Sequence, residues 1–247
     1  MFRVCPTDGL KALLGALLDF VYPPYCCLCG TRLQEGEKVV CEGCWGEVKP
    51  LQGPFCPNCG YPVEPGANEC AMCQQRGWTF RQVGVLADFQ PPVQQLIHLL
   101  KYKGKRSVGT RLGAMLSQVL QGRPQWQKAD LIIPVPLHTS RLRERGYNQS
   151  LLIAKALGEG LQKPLRQELL VRKRNTRSQT KLNVAQRVEN VSGAFQVKYP
   201  VEVRDKRIIL VDDVITTGAT ADACSRSLLN AGAKEVLVAA VATPINL

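Results

Sequence analysis

The sequence predicts an α/β protein, a doubly wound parallel sheet preceded by a small cysteine-rich module. Three observations carry this. Ten of the eleven cysteines lie before residue 74, most of them in Cys-x-x-Cys pairs. From about residue 81, apolar runs of strand length alternate with stretches of helical period, the pattern of strands joined by helical crossovers. Residues 208–211, Ile-Ile-Leu-Val, form an apolar run without polar alternation, as a strand buried on both faces requires. With 247 residues, 45% of them apolar, the chain can hold one sizeable core and one accessory domain. The expected division is 1–80 and 81–247.

The elements follow in order. Leu10, Leu13, Leu14, Leu17, Leu18 and Val21 recur at helical spacing, and Pro23-Pro24 ends that helix. The stretch is too short to span a membrane, contains Lys11 and Asp19, and lacks a small-residue cleavage site, so a cytoplasmic location is expected. Val93, Leu96, Ile97 and Leu100 make one helical stripe; Val108, Leu112, Met115, Leu116 and Val119 make another, with the basic turn 101–106 between them. Residues 130–135 read as a strand ending in Pro134-Val-Pro136, and 147–161 as a helix. Residues 172–190 are polar without an apolar face, hence a mobile loop or a solvated helix. Strand 207–211, helix 219–230 and strand 235–242 close the pattern, with Gly232 as the helix C-cap.

The net charge of +12 is unevenly spread: residues 1–80 carry six Lys/Arg against eight Asp/Glu, whereas 98–187 carry nineteen against four. A domain that basic expects polyanionic partners, whether pyrophosphoryl compounds or nucleic acid. Aromatics for base stacking are sparse there, being Tyr102, Trp126 and Tyr147.

Cys26-x-x-Cys29 and Cys41-x-x-Cys44 are eleven residues apart; Cys56-x-x-Cys59 and Cys70-x-x-Cys73 are ten apart. Two such pairs supply four thiolates for a tetrahedral zinc with no open position, so the expected cofactor is two structural Zn²⁺ ions that fold a segment too short to bury its own core. Gly30, Gly43 and Gly60 suit the knuckle turns. Sequential and interleaved pairing are both open at this point. Cys224 falls on a helical face with Leu228 and reads as a core residue, and neither His98 nor His138 is spaced as a ligand.

The candidate site is 208–220. The apolar strand runs into Asp212 and Asp213, and Thr216-Thr-Gly-Ala-Thr220 then opens a helix. Backbone N–H groups and hydroxyls at a helix start form a phosphate cradle, while carboxylates at a strand end accept from sugar hydroxyls. Thr216, Thr217, Gly218, Ala219 and Thr220 would thus take a ribose phosphate, with Asp212 and Asp213 on the ribose. The segment resembles the signature of type I phosphoribosyltransferases. That resemblance makes phosphoribosyl diphosphate the expected ligand, with Mg²⁺ held mainly by diphosphate and sugar oxygens and partly, through water, by the carboxylates. It also makes the end of strand 131–135, with Pro136 and Leu137, the diphosphate loop. Prolines there depart from the usual glycine-rich form, and Arg141, Arg143 and Arg145 supply compensating charge.

Four features together resemble the competence-protein-F (ComF) family: the cysteine ribbons, Arg141-Leu-Arg-Glu-Arg-Gly-Tyr-Asn-Gln149, the stretch 172–190 with Arg172, Arg177, Gln179, Arg187 and Asn190, and the 208–220 loop. The likeness extends from about residue 20 to 243. It implies a type I phosphoribosyltransferase fold, a flexible loop at 172–187 closing over the site, and a role in DNA uptake or DNA utilisation. Two alternatives stand beside an enzyme: a sensor of phosphoribosyl diphosphate or nucleotides, and an adaptor binding single-stranded DNA or the uptake machinery.

Overall fold

The computed structural model describes residues 23–56, 59–67, 69–70, 73–74, 78–174 and 193–245. The apolar stripe at 10–21 and most of 172–190 lie outside the described residues. The chain forms two compact units, Met1–Val48 and Lys49–Leu247. The composition-based division falls at 80/81, whereas these units place the second cysteine cluster with the sheet.

In the first unit, antiparallel bridges Tyr25–Arg32 and Lys38–Val40 shape two knuckles, and helix α1 (Glu42–Gly46) follows the second Cys-x-x-Cys start. Trp45, Val40 and Val48 supply its small core.

The second unit is built on a four-stranded parallel sheet. In chain order its elements are β1 (Gln82–Asp88), α2 (Val93–Tyr102), α3 (Arg106–Gln121), α4 (Pro124–Gln127), β2 (Leu131–Pro134), α5 (Thr139–Arg145), α6 (Gln149–Leu161), β3 (Leu170–Arg172), β4 (Phe195–Val197), α7 (Pro200–Val203), β5 (Arg207–Val214), α8 (Ala219–Asn230) and β6 (Glu235–Thr243). The sheet order is β1-β6-β5-β2, with β3 and β4 forming a separate antiparallel pair. β5 and β6 are the central strands, and both are almost wholly buried, which is why neither alternates in hydropathy.

Helices α3 and α6 pack on each other and on the sheet. Their approach depends on small residues: a Cβ at Gly113 would stand 2.4 Å from the Ile153 carbonyl oxygen. On the opposite face, α8 and the β3–β4 pair cover Val83, Ile133, Ile208, Leu210 and Val238 with Phe195, Leu170, Cys224 and Leu228. The fully buried Cys224 is the core residue expected of it. The doubly wound parallel sheet of the sequence reading is thus the observed one.

Two elements were not legible in the sequence. β1 carries Gly84 at its centre, where a Cβ would lie 2.5 Å from Leu120 and 2.6 Å from Trp126. The glycine admits the large indole but breaks the apolar run. The β3–β4 pair joins three-residue strands separated by a long polar stretch, too little for periodicity to register. One boundary also moves: β5 continues through Asp212 to Val214, because β6 beside it pairs Asp212 with Ala240 and Val214 with Ala242.

Candidate functional site

The carboxylate pair is held from three sides. Lys101, near the end of α2, places its ammonium 2.6 Å from Asp213 Oδ2, and Asp213 is only 4% exposed. The fully buried Ser150, on the first turn of α6, donates its hydroxyl to Asp212 Oδ1 at 3.0 Å. The backbone N–H of Asp213 donates to the same oxygen at 2.9 Å, and that of Val214 to Asp213 Oδ1 at 2.9 Å. Burial, followed by the charge of Asp213, pushes the Asp212 carboxyl up to about 7; Lys101 acts the other way. The site therefore holds two adjacent carboxylates with the Lys101 ammonium beside them, and burial pushes one carboxyl up to about 7.

The Arg-Gly-Tyr-Asn-Gln stretch builds this arrangement. Gly146 turns the chain out of α5 with φ of +77°. Tyr147, nearly buried, donates its hydroxyl to the Leu100 carbonyl and so ties down the turn that carries Lys101. Asn148 is the N-cap of α6, accepting from the Ser150 N–H at 3.0 Å while its side-chain amide donates to the Val135 carbonyl at 3.0 Å. One side chain thereby fixes the chain just beyond β2 and aims Ser150 at Asp212. Arg145 donates to Gln149, and the Arg106 guanidinium lies 4.7 Å from the Tyr147 ring centre. Sequence reading recognised the stretch but missed Lys101 and Ser150 as members of the site; their signal was position alone, one opening a basic turn and one directly after Gln149.

Thr216, Thr217, Gly218, Ala219 and Thr220 form the expected turn into α8. Gly218 has φ of +68° and is followed directly by the helix. With Asp212 and Val214, four of these residues, Thr217 excepted, line a shallow hollow at the carboxyl end of β5. Beside it, a cleft of about 160 Å³ is lined by Lys101, Tyr102, Arg141, Glu144, Arg145 and Tyr147. Arg141 is exposed and paired with Glu144 at 3.2 Å. Pro136 and Leu137 are half-buried, and His138 caps α5 by accepting from the Ser140 N–H. Arg172 belongs to strand β3 rather than to a loop, its guanidinium 5.4 Å from the Phe195 ring centre. Burial holds that guanidinium below its ordinary range, while the Asp212 charge opposes the shift. Arg177, Gln179 and Arg187 lie outside the described residues. Of the three aromatics in the basic stretch, Trp126 and Tyr147 are buried and Tyr102 is 64% exposed, which leaves one accessible ring.

The cysteines gather sequentially, Cys26, Cys29, Cys41 and Cys44 in one cluster and Cys56, Cys59, Cys70 and Cys73 in the other, with all sulfurs of a cluster within 4.8 Å of one another. Zinc–thiolate bonds of about 2.3 Å in a tetrahedron place sulfurs about 3.8 Å apart. The observed Sγ–Sγ distances are 3.8 Å for Cys26–Cys44, 3.6 Å for Cys29–Cys41, 4.0 Å for Cys56–Cys73 and 3.6 Å for Cys59–Cys70. Backbone N–H groups of Leu28 and Cys41 point at Cys26 Sγ, and that of Cys70 at Cys56 Sγ. Both clusters fit zinc, and a Cys₄ set leaves no position for catalysis.

A double zinc ribbon domain family matches residues 17–75, and the phosphoribosyl transferase domain family matches residues 148–245. Over 219 residues the chain is 33% identical to DNA utilization protein YhgH of Escherichia coli (strain K12), covering 87% of this chain and 95% of that one. It is 29% identical to competence protein F of Haemophilus influenzae, covering 86% and 94%, and 26% identical to competence protein ComFC of Bacillus subtilis, covering 91% and 92%.

Proposed function

This chain belongs to the family of DNA utilization protein YhgH and competence protein F, and on that premise we propose that it binds phosphoribosyl diphosphate and transfers the phosphoribosyl group. The observation that carries the reading is the convergence at the carboxyl end of β5: Asp212 and Asp213, the 216–220 turn and a cationic cleft, all within one compact unit. The backbone N–H groups of the turn and the Thr216 and Thr220 hydroxyls take the 5′-phosphate, a dianion well placed at a helix start. Asp212 and Asp213 accept from the ribose hydroxyls. Arg141, Arg145 and Arg172 would supply positive charge to the diphosphate.

Lys101 has a defined task here. Two bare carboxylates would repel a polyanion; one ammonium at 2.6 Å, with a proton shared onto Asp212 near pH 7, keeps the pair close to neutral. The carboxylates are hard oxygen donors and fit Mg²⁺, which Asp212 and Asp213 would hold directly or through water; when bound it supplies positive charge to the diphosphate oxygens. In the transfer, a ring or amine nitrogen of the acceptor bonds to ribose C1, the C1–oxygen bond breaks, and diphosphate leaves with that electron pair.

Phosphoribosyl diphosphate with Mg²⁺ should raise the melting temperature of the full chain, and the double change Asp212→Asn, Asp213→Asn should abolish the rise. An unchanged melting temperature at saturating ligand overturns the binding claim. Diphosphate release on adding nucleobases separates an enzyme from a sensor. The DNA-utilisation role of the family and the basic stretch 98–187 also favour a contact with single-stranded DNA through its phosphates. Such binding should weaken by roughly one logarithmic unit per logarithmic unit of salt for each phosphate contacted. With Tyr102 the one accessible ring among the described residues of that stretch, little base stacking is expected there.

A further inference from the structure

Trp78 lies between the second cysteine cluster and β1, and it touches both the cluster and the phosphate turn. The Cε3–Cζ3–Cη2 edge of its indole faces Gly218: a Cβ placed on that glycine would stand 2.0 Å from Cζ3 and 2.1 Å from Cη2. The same side chain packs against Cys56, Cys59 and Cys70, and its ring stacks on Phe80 with centroids 4.7 Å apart. Thr79, the next residue, donates its backbone N–H at 2.9 Å and its hydroxyl at 2.7 Å to Asp222 Oδ1 in the first turn of α8. Two adjacent residues thus hold both parts of the phosphate turn, the left-handed glycine and the helix start beyond it. The indole N–H, on the edge away from Gly218, is buried without a hydrogen-bond partner among the described residues. Packing alone therefore sets the ring, and one of its supports is the cysteine cluster.

That cluster is itself fastened to the sheet. The Val83 N–H donates to the Cys59 carbonyl at 2.5 Å, and the Tyr61 hydroxyl shares a hydrogen bond of 2.7 Å with Thr243 Oγ1 at the end of β6. Gly60, at φ of +75°, approaches so closely that a Cβ would lie 2.7 Å from the Val83 oxygen. A module whose only task was to fold itself would have no need of this contact chain.

We propose that Trp78 is a positioning residue of the phosphate turn, and that metal occupancy of the second cysteine cluster sets the geometry of that turn through it. The contact chain stands on its own; its consequence for ligand binding rests on the phosphoribosyl reading above. Loss of the ion removes the cross-link between the two knuckles. The indole then loses one of its supports, and Gly218, free of it, explores the many conformations open to glycine. With metal bound, the turn meets a phosphate already shaped, and the ordering entropy is not charged to binding.

The test uses the zinc-loaded full chain. The Gly218 Hα resonances should be displaced by the indole ring current, lose that displacement in Trp78→Ala and keep part of it in Trp78→Phe, with zinc content unchanged in both. Protein stripped of zinc and returned to Mg²⁺ buffer should lose it as well. Calorimetric affinity for phosphoribosyl diphosphate with Mg²⁺ should fall about tenfold in Trp78→Ala, less in Trp78→Phe, and stripping zinc should weaken Trp78→Ala no further. A Gly218 resonance that ignores zinc, or losses that add, would overturn the coupling. Should the wild type fail to bind phosphoribosyl diphosphate while Gly218 still follows zinc and Trp78, the ligand reading falls and the coupling stands. Binding without any response of Gly218 gives the reverse.

Discussion

Replacing Lys101 by methionine removes the ammonium that lies 2.6 Å from Asp213 Oδ2 while keeping most of the side-chain length. Both partners are largely shielded, with side-chain exposures of 22% and 5%. At an effective dielectric of about 20, this separation corresponds to a gross attraction of about 6 kcal/mol, part of which offsets the desolvation of both charges. Deleting one member of such a pair leaves an uncompensated buried charge and costs about 3–5 kcal/mol. Burial and the Asp213 charge push the neighbouring Asp212 carboxyl up to about 7, and Lys101 opposes that shift, so removing the ammonium raises the cost of ionising Asp212. That added cost is present at pH 8 and absent at pH 5.5, where Asp212 is protonated. The Lys101→Met protein should therefore melt about 6–20 °C below wild type at pH 8 and be markedly closer to it at pH 5.5, taking about 2–4 °C per kcal/mol for a unit of this size. Thermal unfolding followed by circular dichroism at the two pH values measures this. A loss under about 1 kcal/mol at pH 8, or one equally large at both pH values, would refute the claim that this lysine neutralises the carboxylate pair.

Asp212→Asn addresses the raised carboxyl. A carboxyl lifted from its ordinary range to about 7 opposes folding once ionised, so its cost is absent near pH 4, grows up to about 7 and is constant above. The asparagine variant, which keeps an acceptor for Ser150, should be more stable than wild type at pH 8 and lose that advantage by pH 4 to 5; a pH-independent difference would contradict the shift. Asn148→Ala removes both the α6 cap and the clamp on the Val135 carbonyl, and should lower stability by about 1–2 kcal/mol while also weakening ligand binding, read from denaturant midpoints and calorimetry. Elemental analysis should find two zinc ions per chain, and Cys59→Ser should release one of them. One ion in the wild type would show that one of the clusters does not hold metal.

Much of the site could be read in the residues themselves because its chemistry is local. A buried strand running into Asp212 and Asp213, followed by the 216–220 turn, is contiguous along the chain, as are the Cys-x-x-Cys knuckles. The motif at 145–149 was legible as a signature but not as a mechanism. Its work is to bind Leu100, Val135 and Ser150, distant in sequence, into one corner. Lys101 and Ser150 were invisible for the same reason: a lysine in a basic turn and a serine in a first helical turn carry no pattern until the fold sets them beside the carboxylates. Gly84 hid β1 because its requirement, room for Trp126, is a property of the other side of the core.

The sequence alone determined the fold class, the eight cysteines of the Cys-x-x-Cys pairs and the carboxylate pair followed by a threonine-rich turn, since each rests on periodicity or spacing within a short stretch. Only the tertiary structure decided that the ribbons pair sequentially, that the carboxylate pair has Lys101 beside it, and that the second cluster reaches the 216–220 turn through Trp78. Those are facts of distance between residues far apart along the chain, set by which faces of β5, α2, α6 and α8 meet when the core closes.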